Sequence, residues 1–346
     1  MWITNESIRL HTDNWPVLEV DCFTKPHALI IDSMVPGLYD TYLYYVGLIK
    51  SYGFTHEFKE GEDWSFEVYP HAAGKLGFSC YFHNCDTPEE FRRLISEKLD
   101  RGIPVLIPGN LRFLYYTWAF KKTDAMHLFL VKGYEKDLDL FSIQDNMHIM
   151  SRAIPNVADE SGVFNNFIMS GKDLVDVWQG LDNISSTYYL GKVITIEKSG
   201  VKNIEIPTPE QKLHWFIDQQ GLNNSILRYR ELSILQFAIR YFKETGEPVD
   251  GRERNFRFNI IFACKKAVLE MVLELFRQMA GNESAVEALV LVKQIVAGWE
   301  RLKQIFYLNL MRNTLTDISD LKKIYDPVVE NEKLLIQTII QKMDNK

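Results

Sequence analysis

The pattern of apolar residues changes once along the chain, near residue 200, and that change limits the folds open to it. Before it, short apolar runs of strand length dominate: IPVLI at Ile103–Ile107, HLFLVKG at His127–Gly133, LDLFSI at Leu138–Ile143 and YYLGKVITIE at Tyr188–Glu197. Two helical stretches precede most of them. Ala28–Tyr52 reads as helix with an interruption at Pro36-Gly37. Asp86-Thr87-Pro88-Glu89-Glu90 opens a second, with a capping residue, an early proline and early acids, and Gly102 closes it. Helices first and then mostly antiparallel strands make an α+β class. After residue 200 the apolar spacing becomes i, i+3, i+4. Leu232, Leu235, Ala238 and Phe242 make one stripe; Ile261, Ala267, Leu269, Val272 and Phe276 the next; Leu291, Ile295, Leu302, Ile305 and Leu308 a third. A last helix, about Asp320 to Met343, is expected to break at Pro327. The expected product is an up-and-down bundle of four or five helices. The linker is SGVKNIEIPTP, Ser199–Pro209, with two prolines and a glycine. The domains are therefore expected at 1–200 (α+β) and 201–346 (all-α).

Composition excludes several functions. At 46% hydrophobic and 25% charged over 346 residues, the chain has enough apolar material for a sizeable core and is not disordered. The net charge of −7 argues against a general nucleic-acid binder. That charge is uneven: residues 1–200 carry 18 Lys and Arg against 27 Asp and Glu, and residues 201–346 carry 21 against 19. Four cysteines in a chain of this length are not a disulfide framework, so a reducing cytoplasmic setting is expected. The opening MWITNESIRLHTDNW lacks the basic and apolar regions of a secretory signal. The longest apolar stretch, near Ala285–Trp299, is broken by Glu287, Lys293 and Gln294, so no membrane association is expected.

One cysteine stands where chemistry is favoured. Cys22, in EVDCFTKPHALIID, directly precedes the first helix. A helix N-terminus carries partial positive charge and favours a thiolate. A nucleophile also needs a base, and the base needs a group to hold its other nitrogen. His127 opens an apolar strand in DAMHLFLVKGY, and Asp145 ends the following strand in LDLFSIQDN. Adjacent antiparallel strands bring such a pair side by side. Gln144 and Asn146 are alternative orienting residues, and Asn14 or the Cys22 backbone N–H is the candidate oxyanion donor. Tyr115, Tyr116, Trp118 and Phe120 crowd one stretch and are candidates to line a dry pocket.

This order resembles the papain-like cysteine fold, and more narrowly the butirosin biosynthesis protein H N-terminal domain family. The similar pieces are Asp21-Cys22 before a helix, the tyrosine-rich helix YDTYLYYVGLIKSYGF, the unit FRRLISEKLDRGIPVLIP, the LYY run at Leu114–Tyr116, and His127 followed by VKGYEKDLDLFSIQD. Together they span about residues 14–200. Two departures stand out: Gly109-Asn110 occupies the place after the IPV strand where relatives usually carry Asp, and no upstream Gln suits an oxyanion hole. The resemblance implies a papain-like catalytic domain and acyl transfer. Cys22 would take an acyl group from a carrier-protein thioester and pass it to an amine, as amide synthases of thiotemplated, nonribosomal antibiotic biosynthesis do. It implies no cofactor on the enzyme, since phosphopantetheine arrives on the acyl or peptidyl carrier protein. A small amine acceptor is the second substrate. The same residues also suit a cysteine peptidase or amidase, and a non-catalytic binding protein is the third reading.

Three further groupings complete the sequence reading. Cys80, His83 and Cys85 offer three ligands where a structural zinc site takes four, and no second cluster exists, so no metal is expected. Arg252, Arg254 and Arg257 crowd what reads as a loop, GRERNFRF, a candidate contact for a pantetheine phosphate or an acidic carrier. His71 and His148 read as structural. The helical part is expected to shape the acceptor pocket, dock the carrier or form a homodimer.

Overall fold

The computed structural model describes residues 2–8, 22–52, 68–117, 119–146, 164–184, 190–200, 203–223, 251–312 and 318–344. The chain forms two compact units. The first takes residues 1–43 and 65–205; the second takes 44–64 and 206–346. The division therefore falls within a helix as well as at the linker read from sequence.

The first unit is α+β. Its described strands are β1 (Trp2–Thr4), β2 (Phe78–Asn84), β3 (Val105–Asn110), β4 (Met126–Glu135), β5 (Leu140–Asn146), β6 (Phe164–Ser170) and β7 (Lys192–Lys198). They form one antiparallel sheet in the order β2-β7-β3-β4-β5-β6, with β1 added to β4. β3 pairs with β4 up to Val131, and β1 pairs with it from Gly133 onward. Gly133 is required at that crossing: a Cβ there would lie 2.4 Å from the Ile3 carbonyl oxygen and 2.8 Å from the Thr4 Cα.

Among the described residues, the helices of this unit are α1 (Thr24–Met34), the start of α2 (Tyr39–Tyr52), α3 (Val68–Lys75), α4 (Pro88–Asp100) and α5 (Gly171–Gln179). The break between α1 and α2 falls at Pro36-Gly37, where Gly37 has φ +95°. Asp32 Oδ1 closes that turn by accepting from the Gly37 and Tyr39 N–H groups at 2.8 and 3.1 Å. α4 starts as its sequence signals. Thr87 Oγ1 accepts from the Glu90 N–H and Glu90 Oε2 accepts from the Asp86 N–H. Phe91, Ile95 and Leu99 on α4 and Leu174, Val177 and Trp178 on α5 pack with Val105, Ile107, Phe129, Val131, Phe141 and Ile143 of the sheet into one apolar core. Alternation along each strand selects that set.

The second unit is helical. Beside the later part of α2 it holds α6 (Pro209–Asn223), α7 (Gly251–Ala280), α8 (Asn282–Arg312) and α9 (Ile318–Asp344) among the described residues. α6 packs on α7, α7 on α8 and α8 on α9. Two expectations are corrected here. Arg252, Arg254 and Arg257 lie in helix α7, not in a loop. Three arginines this close together read as a polar break in the sequence. α9 also runs unbroken through Pro327. Close packing beside the proline offsets the lost backbone bond: Val328 sits so near Gly298 of α8 that a Cβ there would meet its Cγ2 at 2.1 Å. The stripe from Leu232 to Phe242 lies outside the described residues. No described helix is long and apolar enough to cross a membrane.

Candidate active site

Cys22 lies two residues ahead of the first helical residue of α1, at intermediate exposure. Its neighbour Phe23 is the N-cap, a residue with no capping oxygen, and no acid stands in the helix's first turn. The positive end of α1 is therefore not offset by a first-turn carboxylate. A histidine fixes this helix start. His27 Nδ1 lies 2.6 Å from the Phe23 carbonyl oxygen. A carbonyl can only accept, so Nδ1 carries the proton. The His27 ring stacks on Tyr69 at 5.3 Å and on Tyr42 at 6.3 Å, while Phe23 itself stacks on Tyr69 at 5.5 Å. The residue beside Cys22 is thus held by a buried aromatic column.

His127 and Asp145 meet as antiparallel pairing of β4 and β5 requires, since the start of one strand lies beside the end of the other. His127 Nε2 donates to Asp145 Oδ2 at 2.7 Å and lies 2.9 Å from Oδ1. Both residues are buried, His127 at 1% exposure and Asp145 at 0%. The Cys22 side chain is close enough to the His127 ring to favour its protonated form. Because Nε2 serves the carboxylate, Nδ1 is the nitrogen left for sulfur. Burial, the largest single effect, would lower the His127 pKa. The charge of Asp145, then the influence of Cys22 and hydrogen bonding to the ring, outweigh it and raise the pKa to about 10.

The structure places the remaining sequence candidates differently from one another. Tyr116 is half-buried, and its hydroxyl donates to Asp145 Oδ2 at 2.8 Å. Burial first, then the charge of Asp145 and this hydrogen bond, raise its pKa well above the ordinary tyrosine value, so it is a neutral donor. Tyr115 is about half exposed and donates to the Ile168 carbonyl at 3.0 Å. Gln144 is fully buried and, by strand alternation, faces the side of β5 opposite to Asp145, so it is not the orienting group. Asn146 ends β5, and its side chain is outside the described set, as are Asn14 and Trp118.

Gly109-Asn110 has a structural role at this site. Gly109 stands opposite His127 in the β3–β4 register, and Val177 of α5 fills the space a side chain would take, 2.3 Å from an ideal Cβ. Asn110 is fully buried and uses both ends of its amide. Nδ2 donates to Asp124 Oδ1 at 2.8 Å and to the Gly180 carbonyl at 2.9 Å, and Oδ1 accepts from the N–H groups of Arg112 and Ala125. It therefore closes the base of the 111–125 connection that carries Tyr115 and Tyr116.

The other cysteines are unlike Cys22. Burial pushes the Cys80 thiol up to about 12. Burial, then the charges of Glu90 and Asp86, push Cys85 up to about 11 against the opposing effect of Arg93. His83 Nε2 lies 2.9 Å from Thr195 Oγ1. Among the described residues no three His, Cys, Asp or Glu side chains are grouped to hold a metal ion. A cleft of about 570 Å³ opens beside Asn5, Glu6, Ser33, Met34, Glu197 and Lys198. It touches the last turn of α1, about 16 Å of helix away from the Cys22 end, and is separate from the Cys-His-Asp group.

No protein-family model matches this chain, and no curated protein matches it.

Proposed function

We propose that the chain is a papain-like cysteine acyltransferase that forms amides from carrier-bound thioesters, acting in the cytoplasm in natural-product biosynthesis. The observation that carries the reading is the buried His127–Asp145 pair, 2.7 Å apart, with Cys22 at the start of a helix acting on the His127 ring. The resemblance in residue order along 14–200 supplies the acyl-transfer class.

The chemistry follows from those positions. The Cys22 thiolate attacks the thioester carbonyl carbon, forming a carbon–sulfur bond. The carbonyl oxygen gathers negative charge beside the positive end of α1. The bond to the pantetheine sulfur breaks, and that sulfur leaves as a thiol with the proton held by His127. The amine nitrogen then attacks the acyl-enzyme. Neutral His127 accepts the amine proton, the bond to Cys22 breaks, and the amide leaves. Asp145 keeps Nε2 protonated and the ring oriented through both steps. Thioester exchange is nearly neutral and amide formation downhill, so no ATP is consumed. Phosphopantetheine belongs to the substrate.

The test is incubation with an acyl-carrier thioester plus an amine panel, beside a peptide panel. Cys22-dependent amide product supports the reading. Cys22-dependent peptide cleavage without amide formation replaces it with the peptidase reading. Product formation at full rate by Cys22→Ala overturns both.

A further inference from the structure

Asp145 is a carboxylate with no exposed surface, in a place where an ion is costly unless several donors meet it. The His127 N–H lies between its two oxygens, at 2.7 and 2.9 Å. The Tyr116 hydroxyl, 2.8 Å from Oδ2, meets the carboxylate as a donor from a different segment of the chain.

Tyr116 is itself held by two aromatic contacts. Its ring lies flat on Phe167, with centroids 3.8 Å apart and planes 7° apart. Tyr115 meets it edge-on at 5.2 Å and is tied in turn to the Ile168 carbonyl. Phe167 and Ile168 belong to β6, whose register places Phe167 opposite Ile143 and Asn165 opposite Asp145. The strand that pairs with the Asp145 strand therefore also fixes the phenol that reaches Asp145. The turn bearing Tyr116 is closed independently: the Thr117 hydroxyl and N–H both bond the Leu114 carbonyl, and Asn110 holds the base of the connection.

We propose that Tyr116 is a positioning residue of this site, fixing the Asp145 carboxylate in the orientation that His127 Nε2 requires. This inference rests on the reading of Cys22, His127 and Asp145 as the reacting group. Tyr116 does not touch the reacting atoms; it acts through Asp145. Among the described residues, His127 from β4 and Tyr116 from the 111–125 connection act on the carboxylate; Cys22 acts on His127, Tyr115 on Tyr116, and Asp173 of α5 on Tyr115.

The experiment is nitrogen-15 NMR titration of the His127 imidazole in the full chain. It compares wild type, Tyr116→Phe and Asp145→Asn, with His127→Gln used for assignment. Tyr116→Phe keeps the ring on Phe167 and removes only the hydroxyl, so the fold persists; circular dichroism checks this. The expected wild-type midpoint is about pH 10. The Tyr116→Phe midpoint falls, to a value between wild type and Asp145→Asn. Cys22 carbamidomethylation by iodoacetamide at pH 7 slows about tenfold, the loss of one hydrogen bond to a charged group. A Tyr116→Phe midpoint equal to wild type, or above it, overturns the inference and leaves the Cys-His-Asp reading standing. A wild-type His127 that titrates in the ordinary histidine range and is unaffected by Cys22→Ala overturns that reading itself.

Discussion

His127 Nε2 lies 2.7 Å from Asp145 Oδ2, with neither residue reached by bulk solvent to any useful degree. A buried contact this short makes the protonation state of the ring part of the stability of the fold. The folded-state pKa of His127 is raised from 6.5 to about 10. Its contribution to stability is fully present below the unfolded value of 6.5, shrinks as pH rises above it, and is gone once pH passes about 10. Urea denaturation from pH 6 to 11 should therefore show the largest gap between wild type and His127→Gln at the acid end, closing toward the alkaline end. A gap that widens with pH contradicts the assignment.

The cysteines should separate by reactivity. Cys22 neighbours a raised-pKa imidazole, whereas burial pushes the Cys80 and Cys85 thiols up, and Cys264 is fully buried. Brief iodoacetamide treatment at pH 7, read by peptide mass mapping, should label Cys22 first. His127→Gln should slow that labelling and leave the others unchanged. Faster labelling of Cys80 or Cys85 would count against Cys22 as the nucleophile.

Gly109→Ala should destabilise the first unit by about 1–3 kcal/mol, because the new methyl group meets Val177 Cγ1 at 2.3 Å and Phe129 Cε1 at 3.0 Å in a packed core. Asn110→Ala should cost about 1–3 kcal/mol for each buried group it leaves unsatisfied, and should slow Cys22 alkylation by loosening the Tyr116 connection. Urea midpoints and the same mass-mapping assay check both. An Asn110→Ala variant with wild-type stability would remove Asn110 from this role.

Local signals were legible and contacts between distant segments were not. Thr87, Pro88, Glu90 and Gly102 bound α4 because capping is written in neighbouring residues. Cys22, His127 and Asp145 could be named because a helix start and two adjacent strands imply where they meet. Tyr116 read as pocket lining because its partner, Asp145, is 29 residues away and bonds through a hydroxyl that no periodicity reports. His27 went unnoticed for a related reason: its bond to Phe23 and its stack on Tyr69 depend on α3, a short helix with little pattern. β2, FSCYFHN, drew attention for its metal-ligand residue types and concealed a strand paired throughout with β7. In the second unit, Pro327 and the arginines of α7 read as breaks, yet each lies inside a continuous helix.

The central claim is that Cys22 accepts an acyl group, and intact-mass spectrometry tests it most directly. Mixed with acyl-carrier thioesters and no amine, the wild-type chain should gain the mass of one acyl group, mapped to Cys22, as the carrier's free thiol appears. Adding an amine should restore the original mass. Cys22→Ala should gain nothing. Acylation at another residue, or amide formation by Cys22→Ala at the wild-type rate, would contradict the account.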